Sequence, residues 1–314
     1  MVFLKKSFAL GAIVALFATV SCVQARGDDE DVLEPLRTHS LYMPYIDNDL
    51  QNRWFDFGGD TLVNTNRHIR LTQDLPSQGG WLWSRLPLQA ANFQVDFQFE
   101  VDGKGDGVVG DGFAVWFTKE RAETGPVFGN RDRFEGLGIF FDTYANGRHT
   151  HSFPYVMAMM GDGKTSYDND NDGLSNRLGG CEADFRRKLI PTRGRITYNS
   201  GSKRLDMELQ LNAWDQWTTC FSLPDITLPA PYYLGFTSHT GEVHDNHDII
   251  SVTTNIIPKS DNYVAQQRVN NTPPPTSKSS VGTVFKYVAG SGVFVAVVFF
   301  VYKAATKSND MKRF

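Results

Sequence analysis

The sequence has no basic run outside its last dozen residues, and its net charge is only −4 over 314 residues. That leaves no electrostatic footprint for a nucleic acid partner. It has no internal repeat, and between its two ends no amphipathic helix of useful length. Cysteine is scarce, with three in the chain. There is no long heptad stretch, so a coiled-coil stalk is excluded and a monomer or weak dimer is expected.

Long apolar runs occur only at the ends. Lys5 and Lys6 precede an apolar run from Phe8 to Val20, and Val23-Gln24-Ala25 follows. This charged, apolar, small-residue order predicts a secretory signal peptide over 1–25, removed after Ala25. The second run, 281–302, is long enough to span a membrane, since about 22 residues at ~1.5 Å rise cross a ~30 Å hydrocarbon core. Lys303, Lys307, Lys312 and Arg313 lie beyond it with one acid, Asp310. Positive charge stays on the cytosolic side, so 303–314 reads as a cytosolic tail and the body as lumenal, in a single-pass arrangement. Residues 259–280 are polar, contain Pro273-Pro-Pro275 and read as an extended stalk. They hold the sequon Asn270-Asn-Thr272, which Pro273 follows.

Cys22 leaves with the signal peptide. Cys181 and Cys220 remain as an even pair in an oxidising compartment, and they are expected to join. By chain entropy such a loop contributes ~3–4 kcal/mol.

The body reads as strands. Phe93 to Val101 alternates apolar and polar without a break, as a half-buried antiparallel strand does, and Leu205 to Leu211 repeats the pattern. A turn at Asn199-Ser-Gly201 links the latter to Ile196-Thr-Tyr198 as a hairpin. Phe113–Phe117, Leu137–Phe141 and Tyr155–Met160 are nearly continuous apolar runs, as in strands covered on both faces. Tyr232–Phe236 and 248–257 are further candidates. The expected fold is all-β, a two-sheet jelly-roll sandwich over 39–258, with one C-terminal transmembrane helix.

Three segments carry oxygen-rich chemistry. In Phe141-Asp142-Thr-Tyr144-Ala-Asn146, two side-chain oxygens flank a backbone carbonyl at a strand end, which suits part of a calcium shell. The loop Asp168-Asn169-Asp-Asn-Asp172-Gly173 begins like an EF-hand loop, but Gly179 stands where such a loop needs Glu, and no helices flank it. It remains a source for a further calcium ligand. Gly110-Asp111-Gly112 puts a carboxylate between glycines just before an apolar strand. His244 and His247, near Asp245 and Asp248, are read as a hydrogen-bonded turn rather than a metal cluster.

In order along the chain stand Gly110-Asp-Gly-Phe-Ala-Val-Trp116, Gly125-Pro-Val-Phe-Gly129, Phe141-Asp-Thr-Tyr144, Gly179-Gly-Cys-Glu-Ala-Asp-Phe185 and Asp245-Asn-His-Asp-Ile249. As an ordered set they resemble the L-type (legume-like) lectins of the early secretory pathway. The vesicular integral membrane branch, related to ER–Golgi intermediate compartment cargo receptors, is the most similar.

The resemblance implies calcium held by Asp142, the Tyr144 carbonyl, Asn146 and Asp172. It implies mannose-type sugar at Asp111, Asn146 and the backbone of Gly241-Glu242-Val243, and it pairs Cys181 with Cys220. Asn169 stands where relatives carry a sugar-contacting His, and Trp81 where they carry a Ser, so both are candidate sugar contacts. Gly241-Glu-Val243 replaces Gly-Asp-Leu. Phe140 replaces the Glu that holds a transition metal in plant legume lectins, so no manganese site is expected.

The implied function is binding of high-mannose glycoproteins as a cargo receptor or quality monitor, in membranes of the endoplasmic reticulum, the ER–Golgi intermediate compartment and the Golgi. The tail residues Lys312-Arg313-Phe314 would serve as a transport signal read by vesicle coat components. A membrane adaptor with a degenerate sugar site, binding protein partners only, is the alternative. No enzyme is expected. Glycoside hydrolysis needs two carboxylates across the bond, and there is no Glu-x-Asp-x-x-Glu run on a strand.

Overall fold

A computed structural model of the chain describes residues 33–105 and 107–258. The expected signal peptide, stalk, membrane helix and tail lie outside the described residues. Within them no helix is long and apolar enough to cross a membrane, and the only helical elements are two 3-10 turns, Arg37–His39 and Asn169–Asn171.

Two antiparallel sheets face each other. The larger runs in the order β15 (Thr218–Leu223), β14 (Arg204–Gln210), β13 (Thr192–Asn199), β6 (Asn92–Asp102), β17 (Asn246–Ile256), β4 (His68–Thr72) and β3 (Leu62–Asn64), with β1 (Glu34–Pro35) added on β17. The smaller runs β12 (Gly179–Glu182), β11 (Tyr155–Asp162), β10 (Glu135–Asp142), β7 (Gly112–Thr118), β16 (Tyr233–His239), β5 (Gly79–Ser84) and β2 (Phe55–Gly59). A small ribbon, β8 (Thr124–Gly125) with β9 (Gly129–Asn130), stands apart.

The period of two decides what is inside. On β6, Phe93, Val95, Phe97, Phe99 and Val101 all turn inward and are buried. They meet Phe113, Val115 and Phe117 of β7 and Leu137, Ile139 and Phe141 of β10. Phe113 and Phe141 stack at 4.4 Å, and Phe99 lies 5.0 Å from Phe113. The unbroken apolar runs are explained by a second cluster on the far side of the smaller sheet. There Ala114, Trp116 and Phe140 are covered by Phe128, Phe134 and Tyr167 from the loops. Strands β7 and β10 are thus buried on both faces, as their composition requires.

The outward side of β6 is polar. Asp96 is held there by a bidentate pair with Arg195 of β13, at 2.8 Å for both bonds. Of the His244–Asp248 segment, expected to be a hydrogen-bonded turn, only His244 and Asp245 precede the last strand, and His247 and Asp248 lie within β17. His244 Nδ1 meets Asp74 Oδ1 at 2.6 Å, Asp245 takes a bidentate pair from Arg186, and Asp248 takes one from Arg70. His247 instead faces inward, with Nδ1 at 2.7 Å from Thr72 Oγ1. Cys181 and Cys220 form a disulfide, with Cα atoms 5.2 Å apart. It joins β12 to β15, one edge strand from each sheet.

Two outcomes follow from this framework. Cys220→Ser lowers unfolding stability by about 4 kcal/mol, the entropy of the loop that the bridge closes; urea denaturation under non-reducing conditions measures it. Complete burial, then Arg186 and Arg70, depress the His247 imidazole to about 3. Between that value and 6.5 the unfolded chain binds a proton that the folded chain excludes, so stability falls as pH drops below 6.5. Urea midpoints at pH 7 and pH 5 show this fall, and the slope is shallower in His247→Asn. One proton sets the ceiling of the difference at about 1.4 kcal/mol per pH unit.

Candidate functional site

Strand register assembles the site at one end of the smaller sheet. Gly79, His239, Gly112 and Asp142 lie side by side as cross-strand partners on β5, β16, β7 and β10. Gly112 has φ +136, and a Cβ there would meet the Phe141 carbonyl at 2.1 Å, so this position requires glycine. Asp111 precedes it through a cis peptide with Gly110. Its backbone N–H donates to the His239 carbonyl at 3.4 Å, and its own carbonyl accepts from Thr143 at 3.0 Å.

Loops complete a cleft of about 260 Å³. It is lined by Asp111, Asp142, Tyr144, Asn146, Asn169 and Asp172, all singled out in the sequence, together with Pro126, Phe128, Tyr167 and His239. Gly241 and Val243 border it. A Cβ on Gly241 would stand 3.5 Å from Asp111 Oδ1, and one on Gly110 would meet Val243 Cγ2 at 2.8 Å and Tyr144 Cβ at 3.1 Å. Glu242 is exposed on the same loop.

Trp81 is placed elsewhere. It lies on the same face of β5 as Gly79 but one side-chain row further along, and it does not line the cleft. Its indole leans toward β2, where a Cβ on Gly58 would come within 2.4 Å of Trp81 Cζ2. The missing side chain at Gly58 gives the ring its room.

Asp142 and Asp172 are both buried. Asp142 accepts the Tyr144 N–H at 2.9 Å. Burial, then the charge of Asp172, push its carboxyl well above the usual range; Asp111 adds to this, and only the Tyr144 N–H opposes it. Among the described residues no basic side chain pairs with Asp142. Asp172 ends the Asn169–Asn171 turn in a left-handed conformation, φ 49. It accepts the Asn146 backbone N–H at 2.8 Å and the Asn146 Nδ2 at 2.5 Å, which leaves the Asn146 amide oxygen free. His149 Nε2 approaches Asp172 Oδ2 to 2.7 Å, without hydrogen-bond alignment.

Two buried carboxylates with no counter-charge on one of them, a free amide oxygen and a loop carbonyl make a hard oxygen donor set. That is what calcium takes, and the electrostatic fit is good, because a divalent cation relieves the repulsion that raises Asp142. The apolar wall is equally defined. Phe128, Phe140 and Tyr167 pack together, with Phe140 and Tyr167 at 4.9 Å.

The profile of the Legume-like lectin family matches residues 34–262. The chain belongs to the legume-like lectin family. An L-type lectin-like domain-containing protein of Schizosaccharomyces pombe is 36% identical over 252 residues, covering 80% of this chain and 78% of that protein. The vesicular integral-membrane protein VIP36 of Homo sapiens is 39% identical over 220 residues, 69% of this chain and 61% of VIP36, so the match spans about three fifths of that relative. Among solved structures, the lumenal domain of VIP36 in its Ca2+/Man-bound form superimposes with a TM-score of 0.69 at 35% identity, covering 73% of this chain and 93% of that one.

Within this lectin fold, sequence reasoning missed His239, His149 and Tyr167. His239 had a faint signal, since it stands two residues before the Gly241 segment. The pairing that gives it meaning, with Asp111, is 128 residues away in sequence.

Asp142→Asn separates metal binding from folding. In chelator the variant melts above wild type, because it removes a buried charge that repels Asp172. Calcium then raises the melting temperature of wild type only; at a hundredfold excess over Kd the gain is about 2.7 kcal/mol. Differential scanning calorimetry with and without chelator reads both.

Proposed function

We propose that the chain is a calcium-dependent lectin that binds high-mannose N-glycans. In this reading Asp142, the Tyr144 carbonyl, Asn146 and Asp172 hold the ion. Asp111, Asn146, Asn169 and the Gly241-Glu242-Val243 backbone meet sugar hydroxyls, and Phe128 supplies the apolar wall. Trp81 takes no part. The observation that carries the proposal is the convergence of Asp111, Asp142, Asn146, Asn169 and Asp172 on one cleft. Solved forms of VIP36 containing calcium with mannose or Man3GlcNAc support the choice of ion and sugar.

The chemistry is reversible binding. Asp142 and Asp172 would hold the ion, which would supply the charge that neutralises them, and Asn146 would link that position to the sugar. Loss of calcium therefore disorders the sugar contacts. The apolar runs at 8–20 and 281–302 and a relative named as a vesicular integral-membrane protein support a wider role. The lectin domain faces the lumen on a single-pass membrane helix and captures glycoprotein cargo, or monitors its quality, in ER–Golgi transport. Lys312, Arg313 and Phe314 present the coat-binding signal. Weak single-site affinity is offset by clustering of receptors and glycans, which raises effective concentration.

A glycan array probed with the full chain in detergent tests the reading. High-mannose glycans are bound in calcium and released by chelator. Asn146→Ala abolishes binding and calcium dependence together, whereas Asp111→Ala abolishes sugar binding and keeps the calcium-induced rise in melting temperature. Silence on the array in calcium, with the thermal shift intact, would support the adaptor function instead.

A further inference from the structure

His239 lines the cleft and carries a polar atom, Nε2, that nothing above uses. Its Nδ1 lies 3.2 Å from Asp111 Oδ2. The imidazole is 42% exposed and the Asp111 side chain 34%, so both reach the cleft from its rim. His239 is flanked in register by two glycines, Gly79 on β5 and Gly112 on β7. With no side chain on either neighbour, the ring occupies a notch of its own. On the Gly79 side a Cβ would stand 3.8 Å from His239 Cδ2, at ordinary van der Waals contact with the ring. On the other side stands the Asp111 carboxylate.

We infer that His239 is a specificity-determining residue of the sugar cleft. It orients the Asp111 carboxylate through Nδ1 and presents Nε2 to a sugar hydroxyl of the same mannose-type ligand. This rests on the lectin reading of the cleft and deepens it. With Nδ1–H donated to Asp111 Oδ2, the second carboxylate oxygen, Oδ1, stays open beside Gly241. Among the described residues neither Asp111 Oδ1 nor His239 Nε2 has a hydrogen-bond partner. A vicinal pair of hydroxyls bridges them, one donating to Oδ1 and the other meeting Nε2. In the neutral ring Nε2 is then an acceptor, because the Nδ1 hydrogen fixes the tautomer. Such a charge-assisted pair holds the carboxylate in one rotamer, so less conformational freedom is lost when sugar binds. The position also explains why a Trp at 81 is compatible with a working site. The polar group on the β5–β16 side of the cleft is supplied by β16, and the β5 side chain can lean away over Gly58.

Titration calorimetry on the calcium-loaded full chain, with methyl α-mannoside and its monodeoxy series as probes, tests the assignment. His239→Ala is expected to weaken methyl α-mannoside binding about tenfold, as loss of hydrogen bonds involving a charged partner does. Calcium affinity and melting temperature stay unchanged, which a merely structural role would not allow. His239→Asn, whose amide can still donate to Asp111, recovers the orienting part and binds within about threefold of wild type. One deoxy sugar loses affinity on wild type and loses no more on His239→Ala, and this identifies the hydroxyl read by Nε2. Equal affinity of wild type and His239→Ala, while Asp111→Ala is inactive, overturns the assignment and leaves the lectin reading standing. If wild type binds no mannoside in calcium, both fall.

Discussion

Asp142 and Asp172 are buried close enough to repel each other, and among the described residues no arginine or lysine pairs with Asp142. Everything at this end of the sandwich is arranged around that unbalanced charge. The Tyr144 N–H and the Asn146 amide donate to the two carboxylates but do not neutralise them. The loop from Thr143 to Asn146 is fastened at Asp142 at one end and at Asp172 at the other. A divalent cation is the natural completion, and the cleft beside it takes its shape from the same loop. In the proposed reading metal and sugar therefore share one physical support, with Asn146 as the residue at which they would meet.

The sheet provides the second constraint. Neighbouring strands place Gly79, His239, Gly112 and Asp142 in one row, so residues from four distant parts of the chain meet without long side chains or a dedicated scaffold. Glycine is used where backbone must pass close to backbone, at Gly112, and where a neighbour needs space, at Gly58 for Trp81. The doubly buried strands beneath make the row stiff. Phe113 and Phe141 fix one side of β7 and β10, while Trp116 and Phe140 fix the other.

Much of this was legible in the residues. Strands with clean alternation, such as Phe93–Val101, and those with unbroken apolar runs, such as Phe113–Phe117, appear where the pattern put them, because burial on one face or two leaves a direct trace. The cleft residues Asp142, Tyr144 and Asn146 were readable because they are local. The strands β2 to β5 were not. They are short, and Gly58, Gly59, Gly79 and Gly80 interrupt the side-chain period. Trp81 could be matched by position, but not aimed, because its direction depends on an absent side chain at Gly58. His239 looked like any histidine at a strand end until the register brought Asp111 beside it. What escapes a reading along the chain is what depends on cross-strand neighbours.

The pairing of β6 with β17 sets residues such as Phe93 against Ile256, 163 residues further along the chain. Gly241 and His239 reach Asp111 only when β16 has docked between β7 and β5, late in the order of synthesis. Contacts of such long range form slowly, since loop closure precedes any gain from them. The sugar cleft is therefore a property of the finished sandwich alone. A copy still folding offers no completed site to the glycans around it, and a lectin built this way becomes competent to bind them only after its own folding is complete.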